Sequence, residues 1–156
     1  MNTIKLRPII TVEEKNTFVS EIQEAFQISY VSEFGEFEKQ VLPTEDIEES
    51  FNAKGAEAYI AEIGGERIGG AVIVIDDKTG YNSLHLLYVK SSAQNAGNGF
   101  KIWKAIEELH PETRIWETHT PYYDKRNIHF YVNRCGFKIV EFFNPKHKDP
   151  HQISES

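Results

Sequence analysis

Hydrophobic and polar positions alternate over residues 4–7, with Ile4 and Leu6 on one side, which predicts a short first strand whose edge or end is marked by Pro8. The period then lengthens to that of a helix. Thr11-Val12-Glu13-Glu14 has the spacing of a capping box, and Val12, Phe18, Val19, Ile22, Ala25, Phe26 and Tyr30 supply an apolar face behind it. Phe34-Gly35-Glu36-Phe37 interrupts this face as a loop or a break in the helix. Thr44 after Pro43 predicts the N-cap of a second helix, with Glu45 and Asp46 in its first turn, Ile47 and Phe51 behind them, and an end near Gly55.

Strand patterns follow. Residues 58–63 and 67–75 are apolar runs joined by Gly64-Gly65-Glu66, a tight hairpin signal that makes the two strands antiparallel. After a turn at residues 76–80, residues 82–89 complete a meander. Gln94-Asn95-Ala96-Gly97-Asn98-Gly99 then leads into a helical repeat of Phe100, Trp103, Ile106 and Leu109, which Pro111 stops, and residues 114–118 return as a strand. That order is a βαβ crossover. Residues 124–135 predict a last helix closed by Gly136, residues 137–143 a final strand, and the polar stretch from Asn144 a loosely ordered tail. The expected fold is α+β: one domain over residues 1–144, with a tail at 145–156. Its mixed sheet is antiparallel through the first strands and parallel across the crossover, with about four flanking helices.

The turn at residues 94–99 carries the clearest chemistry. Glycines at 97 and 99 let the backbone approach a ligand closely, and successive N–H groups at a helix N-terminus can point at one anion. A lone Gly-x-Gly is common by chance, so its place between a strand and a helix is what gives it weight.

The chain of 156 residues has a formal charge of −7, which argues against a nucleic-acid binder held by backbone phosphates. Apolar runs are too short for a membrane span, which needs about 20 residues, and the N-terminus lacks the pattern of a signal peptide. With one cysteine, Cys135, no internal disulfide can form, and a cytoplasmic location is expected. The histidines show no spacing that would gather ligands around zinc, so no metal is expected. Glu33, Glu36, Glu38, Glu45, Asp46, Glu48 and Glu49 crowd a segment whose one balancing cation is Lys39. They form either a solvated helix face or a field that draws a cationic substrate.

A strand ending in Leu87-Tyr88-Val89, the Gln94-x-x-Gly97-x-Gly99 turn with its helix, and Asn127-x-x-x-Tyr131-x-x-x-x-Gly136-Phe137 occur in that order. Together they resemble the GNAT superfamily of N-acetyltransferases, with Ser91 standing where many members carry proline. The resemblance implies a GNAT-like fold whose parallel strand pair splays apart. It implies acetyl-CoA as co-substrate, its pyrophosphate on Gln94, Asn95, Ala96, Gly97, Asn98 and Gly99. The pantetheine arm would pair with the backbone of Leu87, Tyr88 and Val89, whose side chains packing alone explains. Sheet-edge pairing between copies, common in the family, makes a homodimer an expectation, although the sequence shows no interface.

Acetyl transfer from a thioester to an amine needs a neutral amine, a donor for the tetrahedral oxyanion and an acid for the departing thiolate. By resemblance Tyr131 is the acid, and a phenol's ordinary pKa of about 10 suits donation at neutral pH. Packing also accounts for an aromatic there. Asn127 either hydrogen-bonds the CoA arm or caps its helix. Three residues stand as candidates for the base: His85, on the strand where some members carry a catalytic glutamate, and Glu117 and His119 at the end of the neighbouring strand. A water relay is an equal alternative. Cys135 as an acetyl carrier is the weaker idea, since free cysteine is often buried.

Phe26, Tyr30, Phe34 and Phe37, among the acids, suit a cationic acceptor with an apolar body, and equally a helical hairpin core. The expected function is N-acetyl transfer to a primary amine of a small molecule or protein by direct transfer in a ternary complex. An acyl-CoA-binding regulator without turnover is the alternative. A P-loop nucleotide enzyme is disfavoured, because Phe100-Lys101 follows Gly99 where a Lys-Ser/Thr pair would stand.

Overall fold

In the computed structural model, which describes residues 3–36, 38–94, 97–120 and 125–138, the chain divides into two units, Met1–Thr118 and His119–Ser156. The first holds β1 (Ile4–Pro8), α1 (Val12–Phe34), α2 (Thr44–Phe51), β2 (Ala56–Ile63), β3 (Glu66–Val74), β4 (Tyr81–Val89), α3 (Asn98–Leu109) and β5 (Ile115–Thr118). The five strands form one sheet in sequence order. Neighbours are antiparallel from β1 to β4, and β4 and β5 run parallel across α3, the α+β arrangement and crossover that the hydrophobic pattern predicts.

Local sequence explains how the helices start and stop. The Thr11 hydroxyl accepts the Glu14 N–H at 3.1 Å while the Glu14 carboxylate accepts the Thr11 N–H at 3.2 Å, a complete capping box. Phe18, Ile22 and Ala25 form the buried stripe of α1. Val12 corrects the expectation, because it is 75% exposed. At about 100° per residue it stands roughly 240° from Phe18, off the stripe. The second helix is also capped differently from expectation. Pro43 is the N-cap, and Thr44 is the first helical residue, whose hydroxyl accepts the Gln23 amide at 2.9 Å. Gln23 and Gln27, one turn apart on α1, bind the connection to α2: their side-chain amides donate to the carbonyls of Leu42 and Lys39, and Gln27 accepts the Val41 N–H.

The core has two layers. Phe18, Ile22 and Ala25 of α1, Ile47 of α2, and Val72, Leu86 and Tyr88 of the sheet pack together, with Phe18 edge-on to Tyr88 at 5.0 Å. Trp103 and Ile106 of the predicted α3 repeat are buried, but Leu109 is 44% exposed and Phe100 half-buried, and Ile102, outside the repeat, completes the buried face; Trp103 meets Trp116 of β5 at 5.3 Å. Each such aliphatic or aromatic side chain contributes roughly 1.5–3 kcal/mol on burial. Gly69 and Gly70 sit between the layers. A Cβ on Gly70 would stand 2.8 Å from the Phe18 ring, and one on Gly69 3.1 Å from Ile102, so the pair admits a helix closely from each side.

Past α3, His110 lies between two carboxylates, with Nε2 2.8 Å from Glu57 and Nδ1 3.0 Å from Glu112, while the Tyr59 hydroxyl donates to Glu57 at 2.8 Å. Burial lowers the His110 pKa, but the two carboxylates together outweigh it, so the folded value lies above the ordinary 6.5. A raised histidine pKa stabilises the fold fully below its unfolded value, and that contribution is lost as pH rises through the folded value. Urea midpoints measured from about pH 6 to about pH 9 should therefore fall in the wild type, and His110→Gln should flatten the decline. An unchanged slope in His110→Gln would remove this assignment.

In the second unit, α4 (Lys125–His129) passes into one turn of π-helix at Phe130–Arg134, where the Cys135 N–H reaches the Phe130 carbonyl at 3.1 Å. The predicted uniform last helix is thus corrected to a helix with a widened final turn, which the Phe137 N–H closes onto the Tyr131 carbonyl at 2.9 Å. The predicted start at Asp124 and the final strand beyond Lys138 lie outside the described residues, as does the tail.

Candidate active site

The site starts from a mismatch in strand length. The pairs between β4 and β5 end at Leu84 and Thr118, with the Thr118 hydroxyl donating to the Leu84 carbonyl at 3.0 Å, while β4 continues to Val89. Leu87, Tyr88 and Val89 thus extend along β3 beyond the end of the parallel β5 pairing. A register step between Val72 and Ile73 leaves His85 as the extra residue of a β-bulge. The alternation pattern alone does not reveal this bulge.

From Val89 the chain turns through residues 91–93 into α3. The Gln94 amide donates back to the Val89 carbonyl at 3.0 Å, and the Asn98 amide to the Ala93 carbonyl at 2.8 Å. These two bonds brace the entry and exit of the turn. Gly97 is the α3 N-cap at φ 71, a left-handed conformation that a Cβ disfavours, and the space where its Cβ would lie is open. The helix begins at Asn98, two residues before the apolar repeat, so Asn98 and Gly99 belong to its first turn. Its N-cap is a glycine and so offers no side chain to cap this end, and its first turn carries no acid, whereas α1 has Glu13 and Glu14 and α2 has Glu45 and Asp46 in theirs. An uncapped helix start with a positive dipole end can take an anion. Asn95 and Ala96 lie outside the described residues.

Beneath the strand end, the buried Tyr88 hydroxyl donates to Glu21 of α1 at 2.7 Å, and Glu21 receives the Arg67 guanidinium of β3 through contacts of 2.7, 3.0 and 3.1 Å. Burial pushes the Glu21 carboxyl up, but Arg67 and Tyr88 together hold it below the ordinary carboxylate range. Burial, then Glu21, pushes the Tyr88 phenol well above its ordinary value, so Tyr88 stays a neutral donor. Sequence reasoning missed Glu21 and Arg67. One signal was available, since Glu21 is three residues from Phe18 and four from Ala25, an acid bordering the apolar stripe.

Among the base candidates, His85 is exposed, with Nδ1 3.3 Å from the Ser50 hydroxyl at the end of α2. Glu117 is exposed on β5 and pairs with Ser83, two residues before His85. His119, in the other unit, is exposed. In that unit Tyr131 and Asn127 are half-buried, and the Tyr131 ring lies 5.2 Å from Phe130 and 5.7 Å from Phe137. Cys135 is half-buried as well. Of the acceptor candidates, Phe26 packs on the α1 core, while Tyr30 and Phe34 pair at 4.8 Å with Phe34 47% exposed. Phe37 lies outside the described residues. Among the described residues no group of three or more His, Cys, Asp or Glu could hold a metal, and no helix is long and apolar enough to cross a membrane.

Comparison with known proteins bears on the fold and the family. Residues 19–137 match the model of the acetyltransferase (GNAT) family. The chain is 49% identical over 135 residues to the uncharacterized protein YrkN of Bacillus subtilis (strain 168), an alignment covering 86% of this chain and 73% of YrkN. Two solved structures share the fold. An acetyltransferase from Thermus thermophilus matches with a TM-score of 0.65 at 18% identity, over 90% of this chain and 92% of the other. A Bacillus subtilis acetyltransferase solved in complex with CoA matches with a TM-score of 0.63 at 20% identity, over 90% of this chain and 79% of the other. With its family model running from α1 through β2 to β5, the crossover and the helix bearing Tyr131, the chain belongs to the GNAT acetyltransferase family.

Proposed function

We propose that the protein is an acetyl-CoA-dependent N-acetyltransferase that acetylates a primary amine of a small molecule or protein by direct transfer in a ternary complex. One observation carries the reading: β4 runs beyond its parallel neighbour, and α3, the next α-helix in the chain, starts at a left-handed glycine N-cap that carries no side chain. The CoA-bound structure of a Bacillus subtilis acetyltransferase of the same fold supports CoA as the ligand.

In this reading the pyrophosphate lies on residues 94–99, where backbone N–H groups and the α3 dipole meet its charge without a metal. The pantetheine arm adds as a strand to Leu87, Tyr88 and Val89, satisfying backbone groups at the splay, and Asn127 donates to the same arm. His85, Glu117 or His119, directly or through water, takes the proton from the ammonium. The neutral nitrogen attacks the thioester carbonyl, forming the N–C bond. The tetrahedral intermediate loses its second nitrogen proton to solvent and collapses with cleavage of the C–S bond, while the Tyr131 phenol gives its proton to the leaving sulfur and regains one from solvent. The acceptor enters beside Phe26, Tyr30 and Phe34, where the surrounding carboxylates favour a cation. The protein works in the cytoplasm in this reading, and sheet-edge pairing of the kind the family resemblance implies would let two copies form a homodimer.

A broad amine panel with acetyl-CoA, read as free-thiol release, tests this reading. Amine-dependent thiol release is the expected result. Tight CoA binding with no amine turned over would instead make the protein an acyl-CoA-binding regulator.

A further inference from the structure

The end of β4 faces a mechanical problem. Beyond Leu84 it is no longer held by β5, yet residues 87–89 are the stretch whose backbone must stay extended for a ligand to pair with it. On the remaining side β3 supplies Gly69 opposite Val89 and Gly70 opposite Tyr88, two residues without side chains to grip their partners. The hold comes from the α1 face. Tyr88 turns its ring into the core against Phe18 and delivers its hydroxyl to Glu21, and the same carboxylate takes the Arg67 guanidinium side-on. Arg67 precedes Ile68, whose carbonyl accepts the Lys90 N–H at 2.8 Å, the bond that fixes the chain as it leaves β4 for the phosphate turn. The Lys90 charge also acts on Glu21. One carboxylate, with 13% of its side chain exposed, thus joins α1, β3 and the last turn of β4.

Partly buried ion pairs add little to stability compared with apolar groups of the same volume, and their better-attested role is to fix register. A network that is fully satisfied also rigidifies what it joins. We infer that Arg67, Glu21 and Tyr88 form a positioning clamp that holds the open end of β4 and the entry to the 94–99 turn in the geometry that binds CoA. The side chains of the clamp take no part in the reaction proposed above; they hold the backbone with which the ligand would pair. It rests on the proposed CoA site, and it assigns a function to the Tyr88 side chain on the face of the strand packed against α1.

The test separates positioning from stability. Glu21→Leu/Arg67→Met removes both charges and keeps the volume, and Tyr88→Phe removes one hydroxyl. CoA binding to each is measured by calorimetry, with amide hydrogen exchange of the free and CoA-saturated proteins and the urea midpoint alongside. The clamp predicts a CoA Kd raised about tenfold in both variants, faster exchange confined to residues 86–94 in the free protein, and protection restored at saturating CoA. A Kd within about twofold of wild type in both variants, whatever the urea midpoint does, overturns the clamp. Should the wild type itself bind no CoA, the proposed function falls, and the clamp with it; wild-type binding with unaffected variants removes the clamp alone.

Discussion

Gly97→Glu is expected to abolish measurable CoA binding while the protein remains folded. Gly97 is held at φ 71 as the cap of α3, and the direction of its missing Cβ is open, so a side chain there meets strain but no clash. The strain is worth roughly 1–2 kcal/mol, within the margin of an ordinary domain. A carboxylate placed beside the bound pyrophosphate would repel it by about 4 kcal/mol at 4 Å near a protein surface, more than the roughly 2.8 kcal/mol that corresponds to 100-fold in Kd. Gly97→Ala carries the same backbone strain without the charge, and should weaken CoA by far less. Calorimetric titration of the two variants, with urea melts as the folding control, checks the pair. Equal CoA affinity in Gly97→Glu and wild type would mean that the anion does not sit at this helix end.

The second large effect concerns turnover. Tyr131→Phe keeps a ring in place for its contacts with Phe130 and Phe137, so folding should be preserved. The rate at saturating acetyl-CoA should fall by about 100- to 10,000-fold, the range of a lost general acid, with the KM for acetyl-CoA nearly unchanged. A rate equal to wild type would assign the thiolate's proton to water.

What could be read from the sequence was mostly what is local. The Thr11 and Glu14 capping box lies within one turn of chain, and the meander, crossover and hairpin follow from periods of two and 3.6 residues within single segments. The 94–99 turn stood out for the same reason: strand, glycines and helix are contiguous. Features set by distant partners were not legible. Thr44 was expected to cap α2, but its hydroxyl is engaged by Gln23 on α1, and Pro43 takes the cap. His85 fits a simple alternation in sequence, and only its pairing with β3 shows the extra residue. The contacts joining Glu21 to Arg67 and Tyr88 span 46 and 67 positions along the chain, beyond the reach of any local pattern. Candidates such as Glu117 and His119 have the same limitation, since a catalytic base is defined by what folds around it.

The most direct test of the central claim, that the β4 end and the 94–99 turn form an acyl-CoA site, is calorimetric titration of the protein with acetyl-CoA beside a nucleoside triphosphate of similar charge. One acetyl-CoA per chain, with no comparable heat from the triphosphate, is the predicted result. No acetyl-CoA binding, or equal binding of both ligands, would contradict it.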